Sequence, residues 1–408
     1  MIVSKFLRTT STRRLLAAIA ALVVVIAGGT AIAVAAAGRG PVPPARPLAD
    51  AIHRALTAPA PEGITARISF TNNLIASSNI QGSDPLLTGA TGRLWLSATS
   101  LRLELQSDNG DAQVLVKNGR FSIYDPSSRT VYEGSLPAQS GKDNSAAKHD
   151  QLPSVAQIQS DLSQVMGHVN LSGAIPSDVA GHAAYTVRVS PKHDGGLLGA
   201  AELAWDASRG VPLRIAVYAR TSSSPVLELK ATDISYGRVA ASNFTISPPS
   251  GATVVRVATP SGHSATAADR ERAGHGARHA QVSGVAAVAR RLSFPLLAPS
   301  TLVGLPRQSV TLLDWGGTPA ALVSYGQNLG GIAVIEQTAA KGKSALPSAS
   351  NNGDRKGLSL PTVSIKGATG QELDTALGTM IRFTRGNVTY TVVGSVPAAA
   401  AELAARAL

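Results

Sequence analysis

Cysteine is absent from this 408-residue chain. With it go disulfides, cysteine–zinc sites, iron–sulfur clusters, thiol nucleophiles and any lipid-modified N-terminal cysteine. Aromatic residues are scarce at 4% and charged residues make up only 15%. Stability must therefore come from burying aliphatic surface, chiefly Ala, Val and Leu. Acidic residues are also in deficit, with 25 Asp and Glu against 37 Lys and Arg, for a formal charge of +12. Catalytic signatures are missing as well. There is no Gly-x-Ser-x-Gly elbow, P-loop, His-Glu-x-x-His or dinucleotide-binding glycine fingerprint. His275 and His279 stand four apart, but the glycines of Ala-Gly-His-Gly-Ala-Arg-His oppose the helix a metal pair would need. His53 and His182 receive no role. Acidic pairs such as Asp108/Asp111 and Asp269/Glu271 fall in turns or linker, with no shared pocket for acid–base work. The expectation is a protein that is not an enzyme and uses no cofactor or metal.

What the chain does contain is one long apolar run, Leu15 to Ala37, preceded by Lys5, Arg8, Arg13 and Arg14. A bilayer crossing needs roughly 20 apolar residues, and a cationic flank stays cytoplasmic. Residues 1–14 then form a cytoplasmic basic flank and 15–37 an N-terminal transmembrane helix. The alternative is a signal peptide cleaved at Ala33-Val34-Ala35 or Ala35-Ala36-Ala37. Either way the body is extracytoplasmic, on the cell membrane or secreted if the leader is removed. Export argues against nucleic acid as partner. Seven arginines between Arg256 and Arg307 face only Asp269 and Glu271. Anionic lipid head groups, acidic wall polymers or plain solvation of a linker are the partners left for that excess.

Residues 38–47 read as a stiff Pro-rich tether. Leu48, Ile52, Ala55 and Leu56 recur at helical spacing. Period-two runs follow, around Ile68–Phe70, Leu94–Leu96, Leu101–Leu105, Val114–Val116, Phe121–Tyr124 and Val131–Tyr132. Asp108-Asn109-Gly110-Asp111, Lys117-Asn118-Gly119-Arg120 and Asp125-Pro126-Ser127-Ser128 supply turns between them, which makes an antiparallel meander. After a polar stretch at 137–150, Val155, Ile158, Leu162, Val165, Met166 and Val169 mark one face of a helix. Strands resume from Tyr185 to Ile246. The sum is a sheet of about ten strands, which tends to curl, with two helices to cover its concave face. Residues 258–290 read as a basic Gly/Ala/His/Arg linker and 291–408 as a small α+β domain ending in an Ala-rich helix.

Four stretches of the first domain carry a resemblance. They are Gly181-His182-Ala183-Ala184-Tyr185-Thr186-Val187-Arg188-Val189-Ser190-Pro191-Lys192, Trp205-Asp206 through Gly210-Val211-Pro212-Leu213-Arg214, Asp233-Ile234-Ser235-Tyr236, and Phe244-Thr245-Ile246-Ser247-Pro248-Pro249-Ser250-Gly251-Ala252. In this order they resemble the actinobacterial, membrane-anchored branch of the lipoprotein-carrier and envelope-stress-regulator superfamily (LolA/RseB-like), over residues 48–257. Leu305-Pro306, Gly330–Gln337 and Tyr390–Gly394 resemble a small C-terminal domain often attached to such proteins. The resemblance implies an α+β fold: a curled antiparallel half-barrel with covering helices, plus the smaller domain and the N-terminal anchor. It also implies an apolar cavity for acyl chains.

The candidate cavity residues are Phe70, Trp95, Leu103 and Leu105 on the sheet, with Ile158, Leu162, Val165 and Met166 on a lid helix. Trp95 lies between Leu94 and Leu96, so it falls on the opposite sheet face from them, and which face is the apolar interior stays open. An acyl lipid or lipoprotein-like ligand is one expected partner. An anti-sigma factor or other envelope protein is the alternative, and a purely structural role is a third.

Overall fold

The structure is a computed structural model that describes residues 40–76, 85–106, 111–126, 129–136, 153–193, 195–245, 250–257, 282–315, 318–339 and 360–408. The basic flank, the apolar run, the polar stretch 137–150, most of the basic linker and the loop after 339 lie outside these residues, as do parts of two expected turns. Among the described residues, no helix is long and apolar enough to cross a membrane. The chain divides into two compact units, Met1–His193 with Gly199–Thr259, and Asp194–Leu198 with Pro260–Leu408.

The first unit is built on one sheet. Helix α1 (Leu48–Thr57) precedes β1 (Gly63–Asn72), the single turn α2 (Pro85–Thr88) and β2 (Ala90–Ser97). The meander continues through β3 (Ser100–Gln106), β4 (Ala112–Lys117), β5 (Arg120–Asp125) and β6 (Thr130–Ser135). After helix α3 (Val155–Val165) come β7 (Val169–Leu171), β8 (Ile175–Val179), β9 (His182–Pro191), β10 (Leu198–Asp206), β11 (Pro212–Ala219), β12 (Pro225–Tyr236) and β13 (Thr253–Val257). Their order is β13-β6-β5-β4-β3-β2-β1-β12-β11-β10-β9-β7, with β8 also on β9. Thirteen strands exceed the ten expected, because β7 and β8 are short and β13 adds a parallel edge beside β6.

Local chemistry sets the hairpins. Between β4 and β5, Asn118 and Gly119 both take positive φ, 49° and 76°. That is the two-residue turn whose twist matches paired strands. Between β10 and β11, Asp206 Oδ1 accepts the amides of Ser208 and Arg209 at 2.8 and 2.9 Å, and Gly210 follows at φ 66°. A Cβ at Gly210 would collide with the Ala55 carbonyl at the end of α1. The glycine thus lets the helix seat on the hairpin.

Helices α1 and α3 pack against β9 and β10. Ala51, Ala55 and Ile158 form a core there with Tyr185, Val187, Val189, Leu203 and Trp205. The described part of the segment expected to be a stiff Pro-rich tether packs along the first unit. The Tyr185 hydroxyl donates to the Pro44 carbonyl at 2.7 Å, and Arg46 bridges to Ala174 in antiparallel fashion. Gly40 lies against the Asp178 carboxylate in β8. Prolines hold this segment extended and remove amide donors, which suits a stretch running along a strand edge.

The second unit has its own sheet, ordered β14-β15-β16-β17-β21-β20-β19-β18. The strands are β14 (Thr301–Leu302), β15 (Leu305–Trp315), β16 (Thr318–Tyr325), β17 (Ile332–Thr338), β18 (Thr362–Ile365), β19 (Ala368–Thr375), β20 (Gly378–Arg385) and β21 (Val388–Gly394). Helices α4 (Val285–Ala289) and α5 (Ala398–Ala407) pack on it. Val288 of α4 and Ala401, Ala404 and Ala405 of α5 are fully buried with Ile381, Phe383 and Val392. The small side chains let α5 approach the sheet closely. Within the span expected to be linker, Ser283 bridges to Thr311.

Candidate functional site

The first unit contains an apolar cavity of about 390 Å³. Its wall is Ile64, Ala66 and Ile68 of β1, Leu94 and Leu96 of β2, Leu101 of β3 and Val116 of β4. On the other side of β1 stand Val211, just before β11, and Leu213 and Ile215 of β11, with Leu229, Ala231 and Ile234 of β12. Register brings these together. Ile64 pairs with Leu96 and Ala66 with Leu94, while Ala66 also pairs with Ile234 and Ile68 with Ala231. A register shift between Arg67 and Ile68 keeps both pairs on one face. At one end the turn residues Ser97–Ser100, Asn118, Gly119 and Leu136 complete the lining.

The cavity and the helix-covered core share a face, because Ile215 lines the first and packs against the second. The helices cover the β9–β10 portion. The β1–β4 and β11–β12 portion carries the cavity.

None of the eight residues expected to line a cavity is among its lining residues. Leu105 is buried and Leu103 partly buried in the core beside it. Leu103 pairs with Leu94, so it shares the cavity face. Phe70 pairs with Leu229 and shares that face too. Trp95 pairs with Arg102 on the opposite face, where the Arg102 guanidinium sits 5.2 Å from the ring centroid. Ile158, Leu162 and Val165 belong to the helix-covered core. Met166 follows α3 and is 48% exposed. Leu162 and Met166 border a different hollow, between α1 and α3, together with Leu48 and Leu171.

Of the lining residues that were missed, Leu213, Ile215, Leu229, Ala231 and Ile234 lie within the span read as strands from Tyr185 to Ile246, while Ile64 and Ala66 lie just before the expected Ile68–Phe70 run. What the sequence lacked was the β1–β12 register.

The opposite face of the sheet is polar and paired. Between Leu213 and Ile215, Arg214 sends its guanidinium to Glu202 and Glu228, each at 2.6 Å. Arg188 donates to Glu202 at 2.7 Å and stacks over Tyr218, whose hydroxyl donates to Glu202 at 2.8 Å. Burial raises the Glu202 pKa, but hydrogen bonds from Arg214, Arg188 and Tyr218 outweigh it, so the carboxyl is held below its usual range. At the β10–β11 turn, burial likewise raises the Asp206 pKa. Bonds from Ser208, Tyr236 and Arg209 win, and the net shift is downward. These carboxylates are saturated with donors, which leaves neither suited to take a proton from a substrate. Among the described residues no group of three His, Asp or Glu is placed to hold a metal.

The fold and cavity define a half-barrel with an open apolar interior. Solved structures similar to this chain include MucB in complex with MucA(peri), at 16% identity and a TM-score of 0.40, covering 88% of this chain and 97% of that one. The Pseudomonas aeruginosa MucA/MucB complex matches at 18% identity and a TM-score of 0.37, over 88% and 94% of the two chains. A LolA-superfamily protein from Nitrosomonas europaea matches at 9% identity and a TM-score of 0.21, over 50% of this chain and 99% of that one. No protein-family model matches the chain, and no curated protein matches it in sequence.

Proposed function

We propose that this protein is a membrane-tethered, extracytoplasmic binding protein that takes an acyl chain or lipoprotein-like ligand into the half-barrel cavity without covalent chemistry. The observation that carries the reading is the cavity itself, about 390 Å³ and walled by aliphatic side chains from β1, β2, β11 and β12. That volume falls at the small end of the ~300–1,000 Å³ typical of ligand sites. Each enclosed CH₂ would contribute about 0.8 kcal/mol, so a flexible chain is held by burial and needs no catalytic group.

A second reading is favoured by one other feature. The row Ile123–Tyr132–Val255 runs across β5, β6 and β13 in register, and its members are 39%, 36% and 40% exposed. Such a contiguous apolar row suits a protein partner. An envelope protein of the anti-sigma type is the partner that reading names.

Native mass spectrometry of the full chain, released from mild detergent after purification from a membrane-containing host, tests the first reading. A co-purified acyl-bearing species at fixed stoichiometry supports it. A clean apo mass, unchanged after incubation with lipids and lipopeptides, sinks it and moves the search to protein partners.

A further inference from the structure

The apolar run ends at Ala37 and the packed segment begins at Gly40. Three residue steps reach at most about 10 Å. Gly40 is held against Asp178, two positions before the Ala180–Gly181 turn that joins β8 to β9. The packed segment between Gly40 and Pro47 therefore supplies no slack. Whatever holds the apolar run holds that end of the sheet beside it.

That same end carries turns that line the cavity. Following the register, β9 begins where β10 ends, β12 ends where β1 begins, and β1 begins where β2 ends. The turn Ser97–Ser100 is thus at the Gly40 end of the sheet, and so is Asn118–Gly119, because Ser100 pairs with Lys117. Both turns line the cavity. Exposed cations flank these turns and their neighbours: Lys117, Arg120, Arg209 and Arg238. Among the described residues, Arg238 pairs with the exposed Glu62 at 3.8 Å, Lys117 donates to the Phe244 carbonyl at 3.3 Å, and Arg209 lies over the Tyr236 ring.

We propose that the half-barrel rests end-on against an anionic bilayer surface, with its cavity mouth at the Ser97–Ser100 and Asn118–Gly119 turns facing the lipid. This rests on the membrane-tether reading above and goes beyond it. The protein would load an acyl chain directly from the leaflet, with the cationic turns meeting the head groups and the aliphatic wall receiving the chain. A tethered protein of this geometry samples lipid in its own membrane and does not ferry it across a gap.

The absence of cysteine makes the test direct, since one introduced thiol labels one site. Thr99→Cys, in the exposed turn at the proposed mouth, and Ser223→Cys, in the exposed turn between β11 and β12, mark opposite ends of the sheet. The 12-residue β12 separates those ends by about 40 Å. Ala98→Cys serves should Thr99→Cys misfold. Each full-length variant is reconstituted into phosphatidylcholine vesicles containing phosphatidylglycerol and an acceptor dye on the head group, then floated. Severalfold stronger energy transfer from the Thr99 position than from Ser223 is expected. Equal or reversed transfer in a chain that floats overturns the orientation and leaves the tether standing. A chain that does not float overturns the tether, and the orientation falls with it.

Discussion

Arg214 donates through Nη1 to Glu202 Oε2 across 2.6 Å, joining β11 to β10 on the polar face of the half-barrel. Their side chains are 17% and 13% exposed, so the pair is largely screened from water. Glu202 is also the shared acceptor for Arg188 and Tyr218. Removing its charge leaves Arg188 without its anion and Arg214 with Glu228 alone, in a poorly hydrated site.

Glu202→Gln is accordingly expected to lower the stability of the first unit by about 3 kcal/mol near neutral pH. The sign with pH follows from the depressed folded pKa. Its stabilising contribution is complete above the ordinary carboxylate value of 4.5 and is lost as pH falls through the lower folded value. Denaturation of wild type and variant across the acid range should show the gap closing at low pH. A gap that does not change with pH would remove the ionic account.

Glu336 behaves in the opposite way. It is fully buried in the second unit, and Oε2 accepts the Leu297 amide at 2.9 Å while Oε1 has no partner. Burial pushes its pKa up to about 7 against that one hydrogen bond. With the folded pKa above the unfolded one, its contribution is complete below about 4.5 and is lost as pH rises through about 7. Glu336→Gln keeps an acceptor for Leu297 and should make the second unit about 3 kcal/mol more stable above that pH. Equal stability of the two forms at pH 8 would refute this.

Gly210→Ala should destabilise the first unit by about 1–3 kcal/mol or more. The residue sits at φ 66° and a methyl group there meets the Ala55 carbonyl. A melting temperature within about 1 °C of wild type would show that α1 can shift away freely.

Two substitutions separate cavity from core. Ala66→Phe projects a ring into the cavity from β1 and should abolish capture of acyl ligands, at a cost of about 1–3 kcal/mol in stability. Leu162→Asp places a charge in the helix-covered core instead. It should lower stability by several kcal/mol while the ligand stoichiometry of the remaining folded protein is unchanged. Ligand capture that survives Ala66→Phe, or that is altered in folded Leu162→Asp, would locate the site elsewhere.

The legible parts of this fold are those governed by neighbours in sequence. Asn118-Gly119 reads as a hairpin turn and is one, since only residues tolerant of positive φ suit both positions. The alternation of Leu101, Leu103 and Leu105 reads as a half-buried strand for the same local reason. Less legible was the role of α3. Its stripe through Ile158 and Leu162 looks alike whether it lids a cavity or fills a core. Here Tyr185, Val187, Leu203 and Trp205 meet it and fill the space. The packing of the Pro-rich stretch was equally hidden, because it depends on Tyr185 and Ala174, far along the chain.

By itself the sequence determined the chemistry that is missing, the turn positions and the two faces of each strand, all matters of residue type and a two-residue period. The tertiary structure alone decided which apolar stripes are filled and which enclose space. That choice rests on pairing β1 with β12, whose register shift at Arg67/Ile68 carries Ala231 and Ile234 to one face. It rests equally on α1 and α3 seating over β9 and β10. Burial depends on what lies opposite a side chain, and partners more than a hundred residues away leave no local mark.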